Sequence, residues 1–428
     1  MKNRTPWAWI PTLYFAEGLP YVAVMTLSVI MYKKLDLSNA EIALYTSWLY
    51  LPWVIKPFWS PFVDLIKTKR WWIYTMQLLT GAGLAGVAFS IPGDFFWQAS
   101  LSFFWLLAFS SATHDIAADG FYMLALSTSR QAFFIGIRNT FYRIAMVTGQ
   151  GLLVMLAGYV ETRTGRIPYA WSIVFLILSG VFVAACAWHR FILPLPLEDR
   201  QRSGVTPATI LREFIKAFAD FFRKKGIVAA LLFMLTYRLG ESQLVKLASP
   251  FLLDARERGG LSLSTAELGL AYGTVGVVSL MLGGILGGVV IARLGGLRRW
   301  IWPMALSLFL PNLAYVYMAY ALPDNLFMIS VCVGFEQLGY GFGFTAYTMY
   351  LMLFSDGPYK TSHYAISTGF MALGLMLPGM FSGWIQQATG YPLFFLWVLV
   401  CSLPVFFVIP FLKGVGGGKK GSPPKSYT

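Results

Sequence analysis

Leu35-Asp36-Leu37-Ser38-Asn39-Ala40-Glu41-Ile42-Ala43-Leu44 returns later in the chain as Leu261-Ser262-Leu263-Ser264-Thr265-Ala266-Glu267-Leu268-Gly269-Leu270. Six of the ten positions are identical. In each copy a serine stands three residues before a glutamate, the pairing that satisfies the free amides at a helix start. A basic cluster ending in Arg-Trp follows each copy, at Lys69-Arg70-Trp71 and Arg298-Arg299-Trp300. A short repeat is weak alone, but this one recurs at the same place in each half, which marks duplication of a whole unit.

The material between the copies is apolar. The 428 residues are 57% hydrophobic, 17% aromatic and only 12% charged, and the mean hydropathy is +0.63, far from a water-soluble domain. Runs of about 20 apolar residues, the length that crosses the hydrocarbon layer, recur throughout. Twelve are expected, at roughly 8–32, 40–62, 71–91, 96–126, 131–160, 169–192, 226–253, 266–292, 299–321, 326–354, 361–386 and 391–412. The expected fold class is an all-α membrane protein of two six-helix bundles. Its parts are 1–193, a linker at 194–225 with an amphipathic helix beginning at Thr206-Pro207, 226–413, and a disordered tail at 414–428. Such parallel six-plus-six duplication is the layout of the major facilitator fold, whose substrate site lies between the halves near mid-membrane.

The net charge of +14 is explained by topology. Lysines and arginines crowd the loops on the side of the N-terminus, including Lys67, Lys69, Arg70, Arg293, Arg298, Arg299 and the linker, whereas the other side holds Lys33, Lys34, Arg163, Arg166, Arg256 and Arg258. This asymmetry places both termini in the cytoplasm and requires no nucleic acid. The first apolar run is too long for a signal peptide and is expected to remain as the first helix. Cys186, Cys332 and Cys401 lie in apolar runs without metal-ligand spacing, so neither a metal nor a cofactor is expected.

Buried charge marks the expected pathway, since ionised groups inside a bilayer face partners or water. The fourth helix carries His114, Asp115 and Asp119, and the fifth Arg138, Asn139 and Arg143. Counting from the turn between them, Asp119 and Arg138 fall at one depth and Asp115 and Arg143 at another, roughly 10 and 18 Å in. The first helix holds Glu17-Gly18-Leu19-Pro20, where an interruption is expected. The seventh holds Arg238, Glu241, Gln243 and Lys246, with Arg238 and Glu241 one turn apart and able to pair. The tenth holds Glu336 and Tyr340. Tyr45, Trp48, Tyr50 and Trp53 of the second helix read as a lipid or packing face, and Lys56 as a snorkelling lysine.

Four motifs add a resemblance. A-T-H-D-I-A-A-D-G in the fourth helix, S-P-F-V-D after the second, Y-R-L-G-E in the seventh and F-E-Q-L-G-Y-G in the tenth are together similar to the AmpG-type muropeptide permeases of the major facilitator superfamily, a group related to acetyl-coenzyme A transporters. Here His114 stands where the family usually has glutamine, Gly120-Phe121 replaces a small residue and Trp, and Arg238 and Glu241 replace Lys and Asp. The resemblance implies proton-driven import, through the bacterial inner membrane, of N-acetylglucosamine joined to anhydro-N-acetylmuramic acid with or without a peptide. It also implies a gating role for Asp64, at the loop position where the superfamily latches its halves. On this reading Asp115, Asp119, Glu336, Glu17 and Glu241 are the proton-coupling candidates, and Arg138, Asn139, Arg143, Arg238, Gln243 and Tyr340 the substrate-binding ones. The partners are the substrate, protons and membrane lipids, and the chain is expected to be a monomer. The alternative is transport of another amphiphilic acid, such as a siderophore or acyl-coenzyme A; an intramembrane enzyme using His114-Asp115 with Asp119 is not expected, because the chain has three histidines and no second ligand-bearing helix of the usual metal spacing.

Overall fold

The repeated decapeptide starts a helix in both halves. In a computed structural model, which describes residues 5–196, 199 and 207–412, the Ser38 hydroxyl accepts from the Glu41 amide while the Glu41 carboxylate accepts from the Ser38 amide. Ser264 and Glu267 do the same. Two residues before each serine the chain passes through the left-handed region, at Asp36 (φ 63°) and Ser262 (φ 53°). Positive φ is uncommon outside glycine, so its appearance at both equivalent positions shows that the repeat is structural.

All regular structure among the described residues is helical. Eight helical runs are long and apolar enough to cross a membrane. They comprise Pro6–Lys34 (first span), Lys69–Ser90 (third), Gly136–Thr164 (the main part of the fifth, which starts at Thr128), Ile167–Ile192 (sixth), Thr265–Arg293 (eighth), Gly296–Ala321 (ninth), Leu326–Phe354 (tenth) and Lys360–Phe411. The last is 52 residues long and is divided at Gly390 (φ 75°) into the eleventh and twelfth. Beside them run Asn39–Trp48 with Leu51–Ile66 (second), Phe96–Ala125 (fourth), and Ile227–Thr236 with Leu239–Leu253 (seventh). This arrangement is consistent with the twelve expected.

Several spans are irregular. The seventh breaks at Tyr237-Arg238, where Arg238 leaves helical geometry (φ −114°, ψ 21°). The first, fifth and eighth widen into π turns at Ala23–Leu27, Thr148–Leu153 and Gly269–Gly276. The interruption expected at Glu17–Pro20 is absent, because the α-helix runs on through Pro20 and widens only afterwards. Gly18 serves close packing instead, since a Cβ there would lie 2.9 Å from the Tyr142 carbonyl oxygen on the fifth span.

The buried apolar residues show how the halves meet. At the end bearing the two serine caps, called here the capped end, one cluster joins Leu27, Ile42, Phe104 and Trp171 of the first half to Leu252, Leu268, Tyr315 and Phe395 of the second. At the opposite, linker end the core divides in two. Trp9, Ile116 and Phe121 pack within the first half, and Phe233, Ile301 and Tyr347 within the second. The linker helix, Pro207–Phe222, lies on this end. Its buried Phe221 meets Phe354 and stacks on Phe370, while Phe214 and Phe218 touch Phe58 of the second span. Its apolar face therefore touches both halves. The Asp64 side chain and residues 414–428, assigned from sequence to gating and to a disordered tail, lie outside the described residues.

Candidate functional site

The two acids of the fourth span each form an ion pair, Asp119 with Arg138 and Asp115 with Lys56, and only the first is an expected one. Arg138 Nη1 lies 2.8 Å from Asp119 Oδ1. The guanidinium sits over the Tyr14 ring at 4.5 Å, and the Tyr14 hydroxyl donates to Asp119 at 3.5 Å. Asp115 does not pair with Arg143. Its Oδ2 accepts from Trp53 Nε1 at 3.2 Å and lies 3.6 Å from Lys56 Nζ. Lys56 therefore does not snorkel, and Trp53 and Lys56 turn inward, whereas Trp48 of the same span is exposed. Equal depth on two helices does not fix which side each residue faces, and the second span presents its lysine where the fifth was expected to present Arg143. The spacing Tyr50, Trp53, Lys56, one helical face, was the signal available for this set.

The fourth span is held in this rotation from behind. His114 and Gln77 hydrogen-bond at 3.0 Å, Gln77 and His189 at 2.9 Å, and His189 and Thr12 at 3.0 Å. This chain, buried at Gln77, His114 and His189, ties the first, third, fourth and sixth spans together. His114 is thereby committed to packing against the third span.

In the second half Arg238 sits at the break of the seventh span. It donates to the Tyr340 hydroxyl and lies over the Phe344 ring at 4.9 Å. No ion pair with Glu241 forms, because the break removes the helical spacing that would align them. Glu241 is fully buried, and neither carboxyl oxygen has a hydrogen-bond partner among the described residues. Glu336 accepts from Gln337 at 2.9 Å through Oε2, while Oε1 has no partner among them. Glu17 also leaves Oε2 without one. Gln243 turns away from this group, accepting from Trp397 Nε1 of the twelfth span at 2.9 Å. Arg143 is half-buried and reaches the eighth span, its Nη2 3.4 Å from where a Cβ on Gly284 would lie. Asn139 is exposed.

Polar contacts between the halves gather at the capped end. Lys33 Nζ meets Asp254 Oδ1 at 2.7 Å. The Tyr391 hydroxyl donates to Asp254 at 2.6 Å and accepts from Asn39 Nδ2 at 2.9 Å, and Asn39 also donates to Gln386 at 2.8 Å. Thr265, the repeat equivalent of Asn39, donates to Glu161 of the other half at 2.6 Å. The two copies of the motif thus each bond across the seam. Sequence reading missed this role for them, although the duplicated caps were its signal. At the linker end exposure rises, with the Asp119 side chain 40% exposed against 6% for Asp254.

Comparison with known proteins agrees with this geometry. Residues 12–355 match the family model described as Major Facilitator Superfamily. The chain is 25% identical over 419 residues to "Putative transporter AmpG 4" of Rickettsia conorii, covering 94% of this chain and 95% of that one. It is 24% identical over 400 residues to "Anhydromuropeptide permease" of Escherichia coli K12, covering 92% and 76%. The crystal structure of the nucleoside transporter NupG superposes with a TM-score of 0.72 at 15% identity, over 95% of this chain and 98% of that one, a likeness of fold alone. A duplicated multi-pass membrane protein with charged groups between halves closed at one end is built as a transporter of small molecules, and the chain belongs to the Major Facilitator Superfamily.

Proposed function

We propose that this transporter imports anhydromuropeptides, N-acetylglucosamine–anhydro-N-acetylmuramic acid with or without a peptide, by proton symport across the bacterial inner membrane. The linker end then faces the cytoplasm, in keeping with its basic loops. On this reading the capped end is the outer end and is closed in the state described, and residues 1–193 and 226–413 rock against each other while 194–225 tethers them.

One observation carries the reading. Among the described residues Asp115 and Asp119 have cationic partners, whereas no carboxylate lies at ion-pair distance from Arg143 or Arg238. Two guanidinium groups without a carboxylate at ion-pair distance suit the carboxylates of a muropeptide, since a guanidinium can form two parallel hydrogen bonds to one. Tyr340 and Phe344 beside Arg238 supply flat surface for a sugar ring. Glu17, Glu241 and Glu336, buried with oxygens unmatched, are assigned the coupling proton. An ionised carboxylate without a partner in such surroundings is costly, so gain and loss of a proton there can bias the two conformations. The relatives named above support the substrate class.

Asp119 and Arg138 act on this account as a brace between the fourth and fifth spans. D119N and R138Q are each expected to lower uptake, and the exchanged pair D119R/R138D to recover most of it in the same vesicles. Binding is tested by thermal unfolding of the detergent-purified protein. The disaccharide tripeptide at about 100 times its Kd is expected to stabilise by about 2.7 kcal/mol, and R238Q to lose most of that gain. A siderophore or acyl-coenzyme A stabilising the protein where the muropeptide does not would replace the substrate assignment.

A further inference from the structure

Lys246 is a charged group of the seventh span with no part in the mechanism above. It is 2% exposed. Its Nζ donates to Thr46 Oγ1 at 2.9 Å and lies 4.9 Å from the centre of the Tyr50 ring. Thr46 is already committed, giving its own proton to the Ile42 carbonyl at 2.6 Å, so it offers Lys246 only a lone pair. Among the described residues no carboxylate lies at ion-pair distance from Lys246. Its stem packs where the eleventh span carries Gly379, a Cβ there lying 3.4 Å from Lys246 Cγ.

Both groups that receive the ammonium belong to the second span, in the other half. They can serve Lys246 only while the capped end is closed. When the halves part there, the ammonium loses its hydroxyl and its ring together and faces the opening gap. A lysine whose sole purpose was to hold this seam would be poorly suited, because one hydroxyl and one ring compensate a buried ammonium less well than a carboxylate would, and an apolar side chain would fill the same space at lower cost. The charge is accounted for by a second state in which it meets an anion.

We propose that Lys246 is the substrate-anion contact of the outward-open state, relinquished to Thr46 and Tyr50 as the capped end closes. This rests on the transport reading above, with the capped end outside. Arg238 follows about 12 Å further along the seventh span, eight residues at the usual helical rise. A carboxylate taken up at Lys246 therefore has a second cation waiting deeper on the same span, and closing the seam withdraws the first as the second engages. The ligand chemistry is a small-molecule carboxylate, and the muropeptide's acid groups are of this class.

The test places K246C in a chain with Cys186, Cys332 and Cys401 replaced by alanine, in right-side-out vesicles. Two thiol reagents are applied from outside, one adding an aminoethyl group and one, permanently charged and impermeant, adding a sulfonatoethyl group, and access from outside is read with the impermeant one. The thiol introduced by K246C is expected to react from outside, more slowly when saturating disaccharide tripeptide is present. Uptake by K246C is expected to fall at least about tenfold, the loss of a hydrogen bond to a charged group. It should return after aminoethylation, which restores an ammonium, and not after sulfonatoethylation. K246R is expected to retain more uptake than K246M.

No reaction from outside while the parent chain transports would show that Lys246 stays buried throughout and would overturn the proposal. Equal recovery with both reagents would overturn it too, since charge would then be irrelevant. A parent chain that fails to take up the muropeptide while the K246C thiol still reacts from outside would remove the substrate assignment and leave the state-dependent exposure of Lys246 established.

Discussion

Valine at Gly273 is expected to cut uptake by about two orders of magnitude while the chain still inserts and folds. Gly273 lies in the π turn of the eighth span, against the fifth, and a Cβ there would stand 1.8 Å from the Gln150 carbonyl oxygen. A backbone oxygen inside a helix cannot swing aside as a side chain can. Overpacking of this kind costs about 3 kcal/mol, and about 1.4 kcal/mol is tenfold in an equilibrium, so the closed capped end would be disfavoured roughly 100-fold. Each half keeps its own core, because the clash arises only where the two meet. Gly288→Val on the same span is the matched control, for nothing lies within 4 Å of its added Cβ. Initial uptake rates, with outside labelling of an N39C thiol, check both points. G273V should slow the first and speed the second, and G288V should change neither.

Glu336→Gln is expected to abolish accumulation driven by a pH gradient and to spare exchange of substrate across the membrane. The substituted glutamine could keep the contact with Gln337, now 2.9 Å, and fills the same volume, so the loss would lie in the proton it cannot carry. One pH unit is worth about 1.36 kcal/mol per proton, about tenfold accumulation for one proton per substrate. E336Q should hold the internal to external ratio near unity with the gradient imposed, while vesicles preloaded with unlabelled substrate still take up label. Glu241, buried with neither carboxyl oxygen matched among the described residues, should give the same split when changed to Gln. A variant that loses exchange together with accumulation would assign Glu336 to substrate binding or to packing.

How far the sequence could be read depended on what each pattern encodes. The duplicated Ser-x-x-Glu caps are local chemistry, and both formed, so the duplication was legible from a ten-residue repeat once its matching place in each half was seen. Asp119 opposite Arg138 was legible from depth alone, because the turn between their helices sets a common origin. Asp115 was not, since depth carries no information about rotation, and Lys56 approached from a third helix. The expected pairing of Arg238 with Glu241 assumed an unbroken seventh span. The break at Arg238 has no proline to announce it. Likewise Gln243 has the right neighbours in sequence and the wrong azimuth, and Trp397 of the twelfth span holds it. The seam contacts of Asn39 and Thr265 join residues far apart in the chain, and only packing of the two halves reveals them.

The central claim is that the charged space between the halves moves anhydromuropeptide inward with protons. Purified protein in liposomes, given radiolabelled disaccharide tripeptide with and without an inside-alkaline pH gradient, tests it directly. Accumulation above the external concentration is expected under the gradient, abolished by a protonophore, with mere equilibration when no gradient is imposed. Label no higher than in protein-free liposomes under both conditions would contradict it.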